Sequence, residues 1–145
     1  MIYKYAIDFG TTNSSIALRI RNEKTHEDQT IVFEIQDSRG LSLTMPSVIF
    51  VSEDTDDELI ESLHVGHDAK EYFANCSSEH KYLVREIKLQ IDQGNKQIHF
   101  DKIKKAFNTV NLTAAILKKL KDVADQQIER LEVKVHGVVT VSYTH

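Results

Sequence analysis

The stretch IDFGTTNSS, residues 7–15, sets one carboxylate, one glycine and a run of short hydroxyl and amide side chains at the end of an apolar segment. Gly10 admits whatever backbone angle a sharp turn after Asp8 requires. Such a turn exposes backbone N–H groups with little side-chain cover, a concavity suited to anionic oxygens. Thr11, Thr12 and Asn13 add short donors, and Gly10 lets a phosphate approach closely. Asp8 does not suit phosphate by itself. A carboxylate and a phosphate repel unless a cation lies between them, and Mg²⁺, which keeps several waters and takes oxygens from both, is the natural bridge. The candidate phosphate-binding residues are therefore Gly10, Thr11, Thr12 and Asn13, with Asp8 holding Mg²⁺ through water. The plainer alternative is an Asp-Gly hairpin whose threonines merely favour strands and turns.

The elements that must position these residues follow from the hydropathy pattern. IYKYAIDFG alternates toward Ile7, and SSIALRI resumes alternation after the Gly, Thr and Asn cluster, which predicts a hairpin turning at Gly10 to Asn13. QTIVFEIQDS is expected as a third strand closed by the DSRG turn, giving an antiparallel meander. MPSVIFVSED, with the single proline Pro46, starts another strand, and the acidic EDTDDELIE reads as a solvated loop or hairpin.

From VGHDAKEYFANC the period becomes helical, with Ala69, Tyr72, Phe73 and Cys76 three and four apart. KYLVREIKLQI is expected to continue as a short helix and NKQIHF as a short strand. The clearest helix runs from about Asn111 to Leu131. Ile116, Leu120, Val123, Ala124, Ile128 and Leu131 form its apolar face, and Asn111 or Thr109 caps it. VKVHGVVTVS then reads as a strand buried on both faces of a parallel or mixed sheet. Hairpins followed by a helix and a buried strand indicate an α/β layered fold. A chain that stops at His145, straight after laying down a central strand, is expected to be a fragment of a longer protein.

The bulk numbers bound the class. A chain of 145 residues with 41% hydrophobic and 28% charged residues is long enough for one domain or one lobe. A net charge of −4 argues against a general binder of nucleic acid or anionic membrane. The single cysteine, Cys76, excludes an internal disulfide and fits a reducing, cytoplasmic setting. No stretch approaches the roughly 20 apolar residues that span a bilayer.

IDFGTTNS closely resembles the first phosphate-binding hairpin of the actin-like ATPase superfamily, especially the IDLGTTNS of the seventy-kilodalton heat-shock protein (DnaK-type) chaperones, with Phe9 in place of Leu. A DxGTT motif also opens the glycerol kinase-like sugar kinases, so the hairpin alone does not choose. Four later segments resemble the chaperone family in its order: MPSVIFV its TPSxV, VGHDAKEY its VGxxAK, REIKLQI its xIKRLIG, and the helix and strand ending VHGVVTVS its xAVITVP. The resemblance implies a ribonuclease H-like lobe with a mixed sheet and helices, covering residues 1–145. Its core strands would fall at about 2–35 and 133–142, with part of an inserted smaller subdomain at about 42–108.

On that resemblance Asp8 matches the carboxylate that organises Mg²⁺ through its waters, and Gly10, Thr11 and Thr12 match the hairpin around the β and γ phosphates of ATP or ADP. Lys88 falls on the catalytic lysine near the γ-phosphate, where a fixed positive charge would stabilise the transferring group. The plainer reading of Lys88 is a solvated lysine on an amphipathic helix. In the full-length protein the resemblance implies ATP hydrolysis driving a conformational switch, with co-chaperones, a nucleotide-exchange factor and unfolded peptide as partners. The sequence departs from the family at Ser142, which stands where a proline is usual. The second phosphate hairpin, the adenosine motif and the substrate-binding domain lie outside these residues, so the fragment is expected to be inactive alone. The rivals are a sugar kinase lobe and a non-catalytic interaction module.

Other constellations carry less. His64, His67, Cys76 and His80 match no zinc spacing and read as surface histidines with a buried cysteine. Asp54, Asp56 and Glu58 alternate like a calcium loop, but no glycine follows in place and Val65 stands where the closing glutamate is needed. Lys118, Lys119 and Lys121 are neutralised along the same helix by Asp122, Asp125 and Glu129. Ser142 and His145 lack the nucleophile elbow of a hydrolase.

Overall fold

Strict alternation fixes the first hairpin. Tyr5, Ile7 and Phe9 are buried along β1 (Ile2–Phe9), as are Ser14, Ile16 and Leu18 along β2 (Asn13–Arg21). Antiparallel pairing sets Tyr5 opposite Leu18, Ile7 opposite Ile16 and Phe9 opposite Ser14, so the apolar sets meet on one face. A slip of one residue would turn the whole set to the other face. The computed structural model describes residues 2–37, 39–56, 58–131 and 139–142.

β3 (Asp28–Val32) pairs antiparallel with β2, and β12 (Val139–Ser142) pairs parallel with β1, placing Ser142 beside Asp8. The sheet order is β12-β1-β2-β3, with β6 (Met45–Pro46) paired to the first residues of β2. This is a mixed sheet in a mixed α/β architecture. The expected strand at 133–142 is described only over β12; its remainder, and its burial, lie outside the described residues.

The third strand is shorter than expected. QTIVFEIQDS does not run through, because Phe33 tucks under the sheet, its N–H bonded to the Ile16 carbonyl at 2.9 Å, and redirects the chain. Ile35–Asp37 then forms β4, paired with β5 (Gly40–Ser42) in a separate ribbon. A three-stranded sheet follows in the order β8-β7-β9, made by β7 (Ile49–Ser52), β8 (His64–Val65) and β9 (Lys81–Val84). Between β7 and β8 the described residues of the acidic segment include a 3₁₀ turn at Ile60–Ser62, and α1 (His67–Asn75) follows β8.

KYLVREIKLQI is not one helix. Its first half is β9, and Glu86, in the left-handed region at φ 56° and ψ 34°, turns the chain into α2 (Ile87–Asp92). That backbone conformation cannot continue a helix, so strand and helix are forced apart there. The expected strand NKQIHF appears as β10 (Gln97–Phe100), in a hairpin with β11 (Lys105–Asn108).

α3 (Thr109–Leu131) is the long helix. Its cap is Asn108 rather than Thr109 or Asn111: the Asn108 Oδ1 accepts the Val110 N–H at 2.8 Å, satisfying one of the donors a helix start leaves open. Thr109 is instead wholly buried and ties the helix start back to the preceding loop, accepting the Lys96 N–H at 3.1 Å. Leu112, Ile116, Leu120, Ala124 and Ile128, four apart, are buried against the sheet and its neighbours, while Val123 is only partly covered. Ile49, Val65, Ile87, Phe100 and Phe107 belong to the same apolar cluster as Tyr5, Ile7 and Ile16, whereas Val48, Phe50 and Ala69 form a second, smaller cluster. Among the described residues no helix is long and apolar enough to cross a membrane.

Candidate functional site

β1 carries Asp8 to its last full turn of pleat, and the chain reverses over Gly10, Thr11 and Thr12 before β2 begins at Asn13. The Gly10 N–H closes the turn on the Asn13 carbonyl at 3.1 Å. A Cβ at Gly10 would lie 2.3 Å from that carbonyl oxygen, so only glycine lets the two strands close here. Gly10 therefore shapes the turn, and its own N–H is already committed. Among the described residues the N–H groups of Thr11 and Thr12 donate to no protein acceptor, which leaves them as the turn's candidate anion donors. Thr12 and Asn13 are exposed, and Asp8, Gly10 and Thr11 are half-buried.

The turn is braced from behind by a residue that sequence reasoning did not single out. Ser47, 0% exposed, donates its backbone N–H to the Thr12 carbonyl at 2.9 Å and its hydroxyl to the Gly10 carbonyl at 2.9 Å. Its Oγ also lies 2.7 Å from the Oγ of Ser14, which is 1% exposed. A hydroxyl has one hydrogen, and that of Ser47 goes to Gly10, so Ser14 is the donor of the pair. The signal available in the sequence was a lone hydroxyl between Pro46 and the apolar run Val48–Val51.

Lys88 is not a solvated surface lysine. It lies 3% exposed in α2, whose main packing partner is α3, and lysines are seldom buried without a task. The hairpin residues are brought together by the turn; Lys88 stands on a separate element.

The histidines and the cysteine also differ from expectation. His67 is no ordinary surface histidine: its Nε2 lies 3.3 Å from the Oδ2 of Asp37, whose side chain is 7% exposed, and its Nδ1 is buried without a hydrogen-bond partner in the described structure. The α1 helix therefore locks onto the β4–β5 ribbon. Cys76 is half-buried rather than buried, because α1 ends before it. Hydrogen bonding from Ser78 lowers the pKa of its thiol. Tyr72 is half-exposed and stacked on His64, with ring centroids 3.6 Å apart. His64 is held below its ordinary pKa by burial, against the opposing charge of Asp68. Among the described residues no three His, Cys, Asp or Glu side chains gather as a metal site.

A cleft of about 530 Å³ lies elsewhere, between β7, β8, α1 and the acidic loop. Among its described lining residues none belongs to the hairpin. The chain matches no protein-family model and no curated protein.

Proposed function

We propose that the chain is the N-terminal part of a DnaK-type, actin-like nucleotide-binding domain, in which the turn after β1 holds the phosphates of Mg·ATP or Mg·ADP. One observation carries the reading: a glycine-dependent turn, braced by Ser47, presents the Thr11 and Thr12 N–H groups three and four residues beyond a strand-end carboxylate. The donor set fits the group. Backbone N–H and threonine hydroxyls suit phosphate oxygens, and a carboxylate suits the outer waters of Mg²⁺. Mg²⁺ supplies charge neutralisation between the phosphates when bound.

The chain's own residues then have separate tasks. Gly10 sets the turn, Thr11, Thr12 and Asn13 bind and orient phosphate, and Asp8 holds the metal's water shell. Lys88 supplies a fixed positive charge in the assembled domain. The full-length protein would hydrolyse ATP to switch conformation, with co-chaperones, an exchange factor and unfolded peptide as partners. These residues form one wall of the nucleotide cleft, so affinity of the order of millimolar is expected of this chain alone.

The test is backbone amide NMR of the chain titrated with Mg·ADP and with ADP plus chelator. Shifts confined to residues 10–13, dependent on Mg²⁺ and losing that dependence in Asp8→Asn, support the reading. Absence of any shift at the turn at several millimolar overturns it.

A further inference from the structure

The acidic stretch at residues 53–61 holds six carboxylates and no basic residue, a concentration that nothing in the nucleotide reading uses. Asp54, Thr55 and Asp56 of this stretch line the 530 Å³ cleft. That volume falls within the range of small-ligand sites. Aromatic rings line the same cleft: Phe50, and Tyr72 and His64, which stack at an interplanar angle of 16°. Among the described residues no lysine or arginine lines the cleft.

Two lysines that bond residues lining the cleft are already committed. Lys81 donates its Nζ to the carbonyls of Phe73 and Cys76 at 2.6 and 3.0 Å while lying 4.8 Å from the centre of the Phe73 ring. Lys105 donates to the Thr55 carbonyl on the acidic loop. Both ammonium groups are held by backbone carbonyls, Lys81 also by a ring face, and neither residue lines the cleft. Burial disfavours the protonated form of His64, against the opposing charge of Asp68. A cavity lined by carboxylates and aromatic rings, with no lysine or arginine among its described lining residues, attracts positive charge and repels phosphate.

We propose that this cleft binds an organic cation, an ammonium or guanidinium group seated between the Asp54 and Asp56 carboxylates and the Tyr72–His64 stack. The group arrives on a free amine or on a lysine or arginine side chain of a peptide. The site is independent of the phosphate hairpin and does not rest on the nucleotide reading.

Cys76 lines the same cleft and is the chain's single cysteine, so its alkylation by iodoacetamide, a neutral reagent, reports occupancy. Agmatine, spermidine and an acetylated arginine tripeptide amide are added in turn at constant ionic strength. A ligand present at ten times its dissociation constant slows the reaction about tenfold if the occupied cleft is closed to the reagent. Protection by the free amines identifies a small-molecule site; protection by the peptide alone identifies a side-chain site. Asp54→Asn combined with Asp56→Asn, on an exposed loop, should abolish protection without changing the unfolding midpoint, and Tyr72→Ala should weaken it more than Tyr72→Phe. No protection by any of the three cations, or equal protection by sodium chloride, overturns the proposal. So does protection that survives in the double asparagine variant.

Discussion

The Ser47 hydroxyl donates to the Gly10 carbonyl at 2.9 Å, across 37 positions of sequence, and the Ser14 hydroxyl donates to Ser47 in turn. The strand pairing of β6 with β2 brings these groups together, so the brace and the turn form one unit. Ser47→Ala leaves a buried hydroxyl and the Gly10 carbonyl without their partner, at a cost of about 1–3 kcal/mol. Chemical denaturation should show that loss, and Ser14→Ala in the Ser47→Ala background should cost little more, because the hydroxyl left stranded is then gone. Full additivity of the two substitutions would contradict the shared bond.

Gly10→Ala attacks the same turn from the front. Its Cβ would meet backbone oxygen at 2.3 Å, an atom that cannot swing aside as a side chain end would, so the turn must open. A destabilisation of about 1–3 kcal/mol is expected, together with faster hydrogen exchange at Gly10 and at the Ser47 N–H, which bonds Thr12. Unchanged exchange at both amides would show that the turn accommodates a methyl group.

The hairpin could be read in the sequence because its evidence is local: alternation over β1 and β2, and a glycine followed by small polar residues. Ser47 escaped notice because its partners, Gly10, Thr12 and Ser14, stand more than 30 positions away and pairing of β6 alone brings them near. The strand at Lys81–Val84 and the left-handed Glu86 were missed for a different reason. KYLVREIKLQI carries a helix-like period throughout, and a single positive φ at a glutamate leaves no mark in composition. The long helix was found within two residues, but its cap was assigned one side too late, since Asn108, Thr109 and Asn111 are all capable caps and only geometry separates them. The cleft was invisible, because β7, β8, α1 and the loop after it meet only in the folded chain.

Lys88→Met keeps most of the side-chain stem and removes the charge. If the ammonium serves the phosphates, as proposed, the variant keeps its fold and loses affinity for Mg·ADP in the amide titration. A stability loss with unchanged nucleotide shifts would instead assign Lys88 a purely structural task. Lys88→Arg distinguishes these further, because a buried site 3% exposed has little room for a guanidinium even though the charge is kept.

The contact between the two ends of the layered core gives a pH dependence whose sign is fixed. Tyr5 donates its hydroxyl to the Asp125 carboxylate at 2.6 Å, tying β1 to the last turns of α3. Burial, the hydrogen bond and the carboxylate's charge all raise the Tyr5 pKa above its ordinary value. Burial also pushes Asp125 upward, but hydrogen bonds from Lys121 and Tyr5 outweigh it and hold this carboxyl below its usual range. The raised phenol stabilises the fold at any pH below its unfolded value, near 10, and that contribution is lost as the unfolded chain begins to ionise above it. The lowered carboxyl stabilises the fold above its unfolded value, near 4, and its contribution is lost as pH falls through the still lower folded value. Tyr5→Phe removes the first effect and only part of the second, since Lys121 still holds the Asp125 carboxyl down: it should flatten the alkaline limb of the unfolding midpoint above pH about 10 and only partly weaken the acid limb below pH about 4. The neutral-pH cost should be about 1–3 kcal/mol. An alkaline limb as steep in Tyr5→Phe as in the parent chain would mean that another tyrosine carries it.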